Sequence, residues 1–168
     1  MIEKFKTLFF VKSSLISLYL ALTIPRPFIS ADNLKILSIF LFVLVFYLIV
    51  NVTSDYVETC INKISYKTSF ISKILGKENW EIYWRDIELI KSLPTSQGSK
   101  VYYFNTNRGN HFLIPQRLEN LEKFLLIVSK NTGIAINELS YISPLWTYKL
   151  LTLLSIAMIV GELFAFLN

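Results

Sequence analysis

The sequence IFLFVLVFYLIV, from Ile39 to Val50, is the most apolar stretch of the chain and has no polar face at helical spacing. It belongs to a segment of about residues 36–52, with Ser38 and Asn51 near its ends. An amphipathic helix of a soluble protein shows a polar face, whereas a helix of about 17 residues is roughly 26 Å long and just crosses a bilayer core of about 30 Å. We therefore predict a transmembrane helix.

Two further apolar segments have similar lengths. One covers about residues 8–24 and contains Lys12 and a few hydroxyl residues. The other runs from Leu150 to Leu167 and carries Glu162 as its one charge. We expect three transmembrane helices, of which the first two form a hairpin.

The composition excludes several classes of protein. Of 168 residues, 53% are hydrophobic and 17% are charged, whereas soluble domains are nearer a quarter charged. The single Cys and single His exclude a disulfide framework and a multi-histidine metal site. We expect no cofactor and no metal.

The basic residues beside the apolar segments predict the orientation. By the positive-inside rule, the N-terminus and the middle region face the cytoplasm and the C-terminus faces outside. Aromatic and basic residues at the start of the third helix are typical of an interfacial anchor. The orienting residues are Lys4, Lys6, Lys12, Lys63, Lys67, Lys73, Lys77 and Lys149, and the anchor is Trp146, Tyr148 and Lys149.

Two of the apolar segments carry small residues four positions apart, a spacing that lets helix backbones approach closely. The spacing does not decide whether such helices pair within one chain or between chains. The two rows are Ser13, Ser17 and Ala21 on the first segment and Ala157, Gly161 and Ala165 on the third.

From Ser54 to Ser143 the pattern changes to alternation. Ile64, Tyr66 and Phe70 fall on one side of a predicted strand and polar residues on the other. Similar alternation near Trp80 and around an Asn- and Gly-rich turn at residues 105–110 predicts about six short antiparallel strands. Loops are predicted at residues 76–79 and 94–99, where Gly, Pro, Asn and Ser cluster.

After Pro115 the apolar period lengthens. Leu118, Leu121, Leu125 and Val128 are three or four residues apart and predict an amphipathic helix over residues 116–130. The sequence Asn131-Thr132-Gly133 predicts its end, because Gly readily adopts the left-handed conformation past a helix.

Three segments of this middle region carry a family resemblance: VETCINKISYK (residues 57–67), IYWRDI (82–87) and IPQRLEN (114–120). They resemble bacterial pleckstrin-homology-like (bPH) membrane proteins. The resemblance implies a curled antiparallel sheet or barrel capped by the helix at 116–130, with no enzymatic activity. The layout of two helices before a small β domain is also similar to that of photosystem I assembly factors.

The predicted fold class is thus an α+β membrane protein. A two-helix transmembrane hairpin occupies residues 1–53, with helices at about 8–24 and 36–52. A cytoplasmic pleckstrin-homology-like domain occupies residues 54–143, and the third transmembrane helix lies in residues 144–168.

Residues with catalytic chemistry are sparse. His111 has no evident acid or nucleophile partner and is interpreted as a surface residue, while Cys60 is interpreted as a structural thiol. Asp86 follows Trp84-Arg85 and is expected to end a strand or cap a turn. Glu162 is expected to reach the outer membrane interface, and its alternative interpretation is a small transporter or channel subunit.

The basic residues of the middle region are nearly balanced by acids. Eleven Lys and Arg against nine Asp and Glu give residues 54–143 a net charge of +2, which is too low for a nucleic-acid-binding domain. Lys63, Lys67, Lys73 and Lys77 have no acid among them and are candidates for anionic lipid headgroups.

The function we expect is a non-catalytic, membrane-anchored interaction or assembly module. Its partners would be membrane lipids and a membrane-protein complex or further copies of the chain. Candidate partner surfaces are Tyr83, Tyr102 and the helix at 116–130. An anionic-lipid sensor is the second hypothesis.

Overall fold

The computed structural model describes residues 2–96, 98–136 and 141–167. Gln97 of the predicted 94–99 loop, residues 137–140 of the predicted middle domain and Asn168 lie outside the described residues. The chain forms two compact units. The β unit comprises Met1–Leu8 and Ser54–Pro144, and the helical unit comprises Phe9–Thr53 and Leu145–Asn168.

Four helices form the helical unit: α1 (Phe9–Thr23), α2 (Arg26–Ile29), α3 (Asp32–Val52) and, last in the chain, α6 (Leu145–Leu167). By length and composition, α3 and residues Leu145–Phe166 of α6 could each cross a membrane. The apolar helix α1 has 15 residues, or about 22 Å at 1.5 Å per residue. Two helices therefore have spanning length, and the three-span arrangement stays a prediction.

Helix α1 packs along α6 through small side chains. Ser14, Ser17 and Ala21 of α1 and Ser155 of α6 are buried. Ser13 Oγ lies 3.5 Å from Thr152 Oγ1 across this contact. This is close packing of small residues, as in membrane helix pairs.

The predicted row on the last helix does not take part in that contact. Ala157, Gly161 and Ala165 are exposed within the single chain. At the start of α6, Lys149 Nζ lies 5.0 Å from the ring centre of Phe10, while Trp146 is exposed.

Helix α3 meets α1 around Tyr19, whose ring lies near both Phe42 and Phe46. The Tyr19 hydroxyl donates to the Phe42 carbonyl at 2.6 Å, and the two rings stack with centres 5.5 Å apart. None of the residues Asp32–Val52 is buried. An apolar helix that buries nothing within its own chain needs an apolar environment from outside it.

The β unit contains two antiparallel sheets in the part of the chain that is described. The first has strands β1 (Glu3–Lys6), β2 (Tyr56–Thr59), β3 (Lys63–Lys67) and β4 (Trp80–Tyr83) in that order. A 3-10 turn (Trp84–Asp86) leads into the second sheet, formed by β5 (Ile87–Pro94), β6 (Lys100–Thr106) and β7 (His111–Leu113). The predicted α+β fold with antiparallel sheets is confirmed.

Two local features differ from the sequence predictions. Strand β1 was not predicted, because Phe5 is its one buried side chain and so gives no alternation. Phe70 does not extend β3 but begins helix α4 (Phe70–Ile74). The cause is local, since Ser69 Oγ accepts a hydrogen bond from the Ser72 N–H at 3.2 Å and caps the helix.

Helix α5 (Leu121–Thr132) begins five residues later than predicted. The preceding residues pair instead with the end of β1 and the chain after it: Glu119 N–H donates to the Lys6 carbonyl and Leu8 N–H to the Arg117 carbonyl. The predicted helix end is confirmed, because Gly133 has φ +73° and its N–H donates to the Ser129 carbonyl.

One hydrophobic core joins both sheets to α5. Phe104 of β6 and Phe124 of α5 are fully buried, and Phe124 meets Phe5 of β1 edge to face with ring centres 5.4 Å apart. The other core residues are Val57, Ile64, Ile82, Trp84, Ile87, Tyr102, Ile114, Leu118, Leu121 and Val128.

We predict that Phe124→Ala destabilises the β unit by about 3–5 kcal/mol, because it removes a buried ring and leaves a cavity. Leu126→Ala in the same helix is the control, since Leu126 is 70% exposed and exposed positions change stability by about 0.5 kcal/mol or less. Urea unfolding of the solubilised full chain, followed by tryptophan fluorescence, measures both. Equal midpoints for the two variants would contradict this packing.

Candidate functional site

The outer face of the first sheet is polar, and four of its charged side chains form two ion pairs. The register sets Lys4 of β1 opposite Glu58 of β2, and Lys4 Nζ lies 2.9 Å from Glu58 Oε1. Lys63 Nζ of β3 lies 2.8 Å from Glu81 Oε1 of β4. The hydrogen bonds to Glu58 and Glu81 raise the pKa of Lys4 and Lys63, respectively. Such a face suits contact with water.

The outer face of the second sheet is apolar. Tyr102 and Phe104 of β6 point into the core, so Val101 and Tyr103 point outward. Their cross-strand partners share this face, because directly opposed side chains of antiparallel strands lie on the same side. We call this surface the outer patch, and its residues are Leu89, Leu93, Val101, Tyr103 and Leu113.

The outer patch differs in its side-chain composition from a sheet face that is exposed to water. Its three leucines are between 41% and 49% exposed. Antiparallel sheets with one face in water normally carry polar side chains there. Lys91, Asn105 and His111 lie among the apolar residues, so the patch is an apolar surface with a few polar groups, as protein interfaces are.

The predicted partner residues fall on different sides of the sheets. Tyr83 is exposed, with the Arg85 guanidinium carbon 5.5 Å from its ring centre. Tyr102 is 6% exposed and belongs to the core, so its assignment to an exposed surface is wrong. Its neighbour Tyr103 faces outward instead, and the sequence analysis missed it.

A buried carboxylate organises the entry to β2. The Asp55 side chain is 5% exposed and accepts four hydrogen bonds. The donors are the Tyr66 hydroxyl at 3.0 Å, Ser69 N–H at 2.8 Å, Ser72 Oγ at 3.1 Å and Lys77 Nζ at 2.8 Å. Asp55 could not be assigned a role from the sequence, because its donors lie 11 to 22 positions away.

These bonds perturb two ionisable groups. Burial raises the pKa of Asp55, but the bonds from Lys77, Ser69 and Ser72 outweigh it, and the net pKa lies below its ordinary value. Burial, together with the charge of Asp55 and the hydrogen bond to it, raises the pKa of Tyr66. Asp55 is therefore a permanent anion and Tyr66 a permanent donor at neutral pH.

The Asp55 cluster holds helix α4 in place. Two of its donors, Ser69 and Ser72, are the cap and first turn of α4. The opposite side of this short helix is exposed and apolar. We call it the α4 tip, and its residues are Phe70, Ile74 and Leu75, which are 66% to 71% exposed.

The structure separates the four lysines predicted to bind headgroups. Lys63 and Lys77 are held in ion pairs with Glu81 and Asp55. Lys73 is an exposed residue of α4, and Lys67 ends β3. Within the described ranges, neither Lys67 nor Lys73 forms an ion pair.

The other candidate chemical groups stand apart from one another. His111 Nδ1 lies 2.8 Å from Asn105 Oδ1, and Cys60 is half-buried. Asp86 lies in the 3-10 turn, where its carbonyl accepts from Asn107 N–H. In the part of the chain that the structure describes, no three His, Cys, Asp or Glu residues lie close enough to hold a metal ion.

Glu162 lies in α6, and its predicted position at the outer membrane interface stays a prediction. Its Oε2 atom is enclosed and has no hydrogen-bond partner among residues 2–96, 98–136 and 141–167. The side chain is half-buried in α6.

A cleft of about 310 Å³ lies between β1 and the start of α5. Its lining includes Glu3, Lys4, Glu119 and Lys123. Lys123 Nζ lies 2.6 Å from Glu3 Oε2, and Lys4 pairs with Glu58. Its lysines are thus engaged in structural ion pairs.

Comparison with known proteins gives one informative match. No family model matches the chain. The chain is 29% identical over 150 residues to the uncharacterized protein slr0269 of Synechocystis sp., covering 85% of this chain and 75% of that protein. Because neither unit contains 150 residues, the similarity extends into both.

We predict that Asp55→Asn destabilises the β unit by about 2–3 kcal/mol at pH 7, because charged hydrogen bonds to a buried group are lost. The folded-state pKa of Asp55 is lowered, so its contribution is present above the unfolded value of about 3.9 and is lost as the pH falls through the folded-state value. The variant should therefore lose less stability than the wild type under acid conditions.

Glu81→Gln is the matched control for Asp55→Asn. It breaks an ion pair whose two side chains are about 40% exposed, and such pairs contribute about 1 kcal/mol or less. Urea midpoints between pH 3 and pH 7 measure both effects, where the range is set about the carboxyl value of roughly 3.9. Equal losses for the two variants would contradict a structural role of Asp55.

Proposed function

We propose that this protein is a non-catalytic, membrane-anchored interaction or assembly module that presents a pleckstrin-homology-like domain at the cytoplasmic face of a membrane. Helices α1, α3 and α6 anchor it, and the outer patch docks a membrane-protein partner. The C-terminus lies outside. Each part of this proposal has its own physical support.

The membrane anchor is supported by the surface of the helical unit. Helix α3 buries none of its residues within the chain, and apolar side chains cover α3 and α6. Exposing that much apolar surface to water is unfavourable, whereas a bilayer accepts it. Helix α1 is short for a span, and a short helix is accommodated by local thinning of the bilayer or by oligomerisation.

The orientation is supported by the distribution of charge. Lysines flank the cytoplasmic ends proposed for the helices, as the positive-inside rule requires. In the structure, Lys149 and Trp146 lie in the first turns of α6, and such residues are typical of an interface.

The pleckstrin-homology-like domain is supported by the architecture of the β unit. Two antiparallel sheets are followed by α5, and α5 contributes Leu121, Phe124 and Val128 to the shared core. These features agree with the curled sheet and capping helix that the resemblance implies.

The observation that carries the docking function is the contrast between the two sheet faces. On the first sheet, charged side chains predominate on the outward face, and four of them form ion pairs. On the second sheet, outward leucines and Tyr103 form an apolar patch. An exposed apolar patch is typical of a protein–protein contact site when the other face of its sheet already packs against the hydrophobic core.

We predict that Leu89→Ser combined with Leu113→Ser removes the protein from its complex. Loss of two apolar contacts of the patch should reduce the complexed fraction by about tenfold or more. The measurement is size-exclusion chromatography of the tagged full chain, gently extracted from its native membrane. Co-purification of two differently tagged copies distinguishes a homo-oligomer from a complex with another protein.

Leu126→Ser is the matched control, since it makes the same change at an exposed leucine of α5 outside the patch. It should leave the complex intact. A wild-type protein that elutes as a single protomer, or a double variant that stays in the complex, would contradict the proposal.

A further inference from the structure

The α4 tip is an amphiphilic surface that docking through the outer patch does not use. Phe70, Ile74 and Leu75 project from one short helix and its cap, and each is about two-thirds exposed or more. On the other side of the helix, Ser72 is fully buried. The α4 tip therefore exposes apolar side chains, whereas the polar side chain of Ser72 in the same helix is buried.

Lysines surround these apolar side chains. Lys73 lies within α4 and is exposed, and Lys67 ends the preceding strand. The sequence from Lys63 to Lys77 contains no acidic residue. The exposed Glu78 follows Lys77, so the two lysines leave a net positive charge next to the tip, which favours an anionic partner.

The attachment of the tip is rigid and close in sequence to α3. Asp55, the third residue after the end of α3, accepts hydrogen bonds from Ser69 N–H and Ser72 Oγ. At the other end of the segment, Lys77 Nζ lies 2.8 Å from the same carboxylate of Asp55. A single buried anion therefore fixes the orientation of α4 within the β unit.

The composition of the α4 tip favours a lipid bilayer over a protein as its binding partner. Bulky apolar side chains beside lysines are typical of segments that lie in the membrane interface. The cores of protein interfaces are depleted of lysine. The chain reaches α4 soon after α3, a helix of spanning length, so the proposed membrane anchor supplies a bilayer as an apolar phase.

We propose that the α4 tip inserts into the surface of an anionic lipid bilayer, with Phe70, Ile74 and Leu75 at the acyl boundary and Lys67 and Lys73 at headgroup phosphates. This inference rests on the membrane anchor of the proposed function and is independent of the outer patch. It replaces the four-lysine headgroup hypothesis with two lysines and three apolar side chains.

The test measures the depth of the tip in a bilayer. The full chain with Cys60→Ser and Ile74→Cys carries an environment-sensitive nitrobenzoxadiazole label at position 74 and is reconstituted in nanodiscs of phosphatidylcholine and phosphatidylglycerol. Leu126→Cys in the same background is the control, because Leu126 is equally exposed in the β unit. Quenching by doxyl-labelled lipid and by aqueous iodide is compared at the two positions.

We expect lipid quenching at position 74 to exceed that at position 126 by about twofold or more, with the reverse order for iodide, as for a side chain at the acyl boundary. Lys67→Gln with Lys73→Gln, or nanodiscs of phosphatidylcholine alone, should reduce the lipid quenching at position 74. Ile74, Leu126 and Lys73 are exposed, and the half-buried Cys60 and Lys67 lie outside the hydrophobic core, so each variant is expected to retain the fold.

Three results would overturn the inference. The first is quenching by iodide that is as strong at position 74 as at position 126. The second is equal quenching by lipid at the two positions. The third is shielding of position 74 from both quenchers, which would indicate a protein partner. Failure of the chain to incorporate into nanodiscs is distinguishable from these, because it would instead contradict the membrane anchor of the proposed function.

Discussion

The buried carboxylate of Asp55 is the interaction on which the layout of the β unit depends. An ionised carboxylate out of water is tolerated only when hydrogen bonds and a counter-charge replace its hydration. All of its side-chain partners lie between Tyr66 and Lys77, so the segment after β2 must fold back on the residue that precedes β2. That requirement brings β3 beside β2. It also buries Ser72 of α4 and leaves the apolar side chains of α4 exposed.

The two sheets use the same alternation for different purposes. In the first sheet, inward Phe5, Val57 and Ile64 fill the core while outward lysines and glutamates pair across strands. In the second sheet, both faces of β6 are rich in aromatic and apolar side chains. One of these faces fills the core with Phe104, and the other has no partner within the β unit as described. A docking function assigns a role to that second face, and a lipid-binding role at α4 uses a separate surface.

Much of the fold could be predicted from the sequence because its signals are local. The turn before His111, the end of α5 at Gly133 and the apolar character of α3 each follow from a few neighbouring residues. Strand β1 could not be predicted, since its place depends on pairing with β2 more than fifty positions away. The candidate site residues were harder to predict than the fold, because Lys63 and Lys77 form ion pairs with acidic residues that are distant in the sequence. Choosing Tyr103 over Tyr102 as the outward-facing tyrosine required knowing which face of β6 meets the core.

Site-specific photocrosslinking in intact native membranes tests docking through the outer patch most directly. A photoreactive phenylalanine analogue replaces Tyr103 in one variant of the full chain and Tyr56 in another. These two half-buried tyrosines lie on the outer faces of the second and first sheets, respectively. Docking through the patch predicts one protein adduct of discrete mass from position 103 and none from position 56. No adduct at position 103, or the same adducts from both positions, would contradict it.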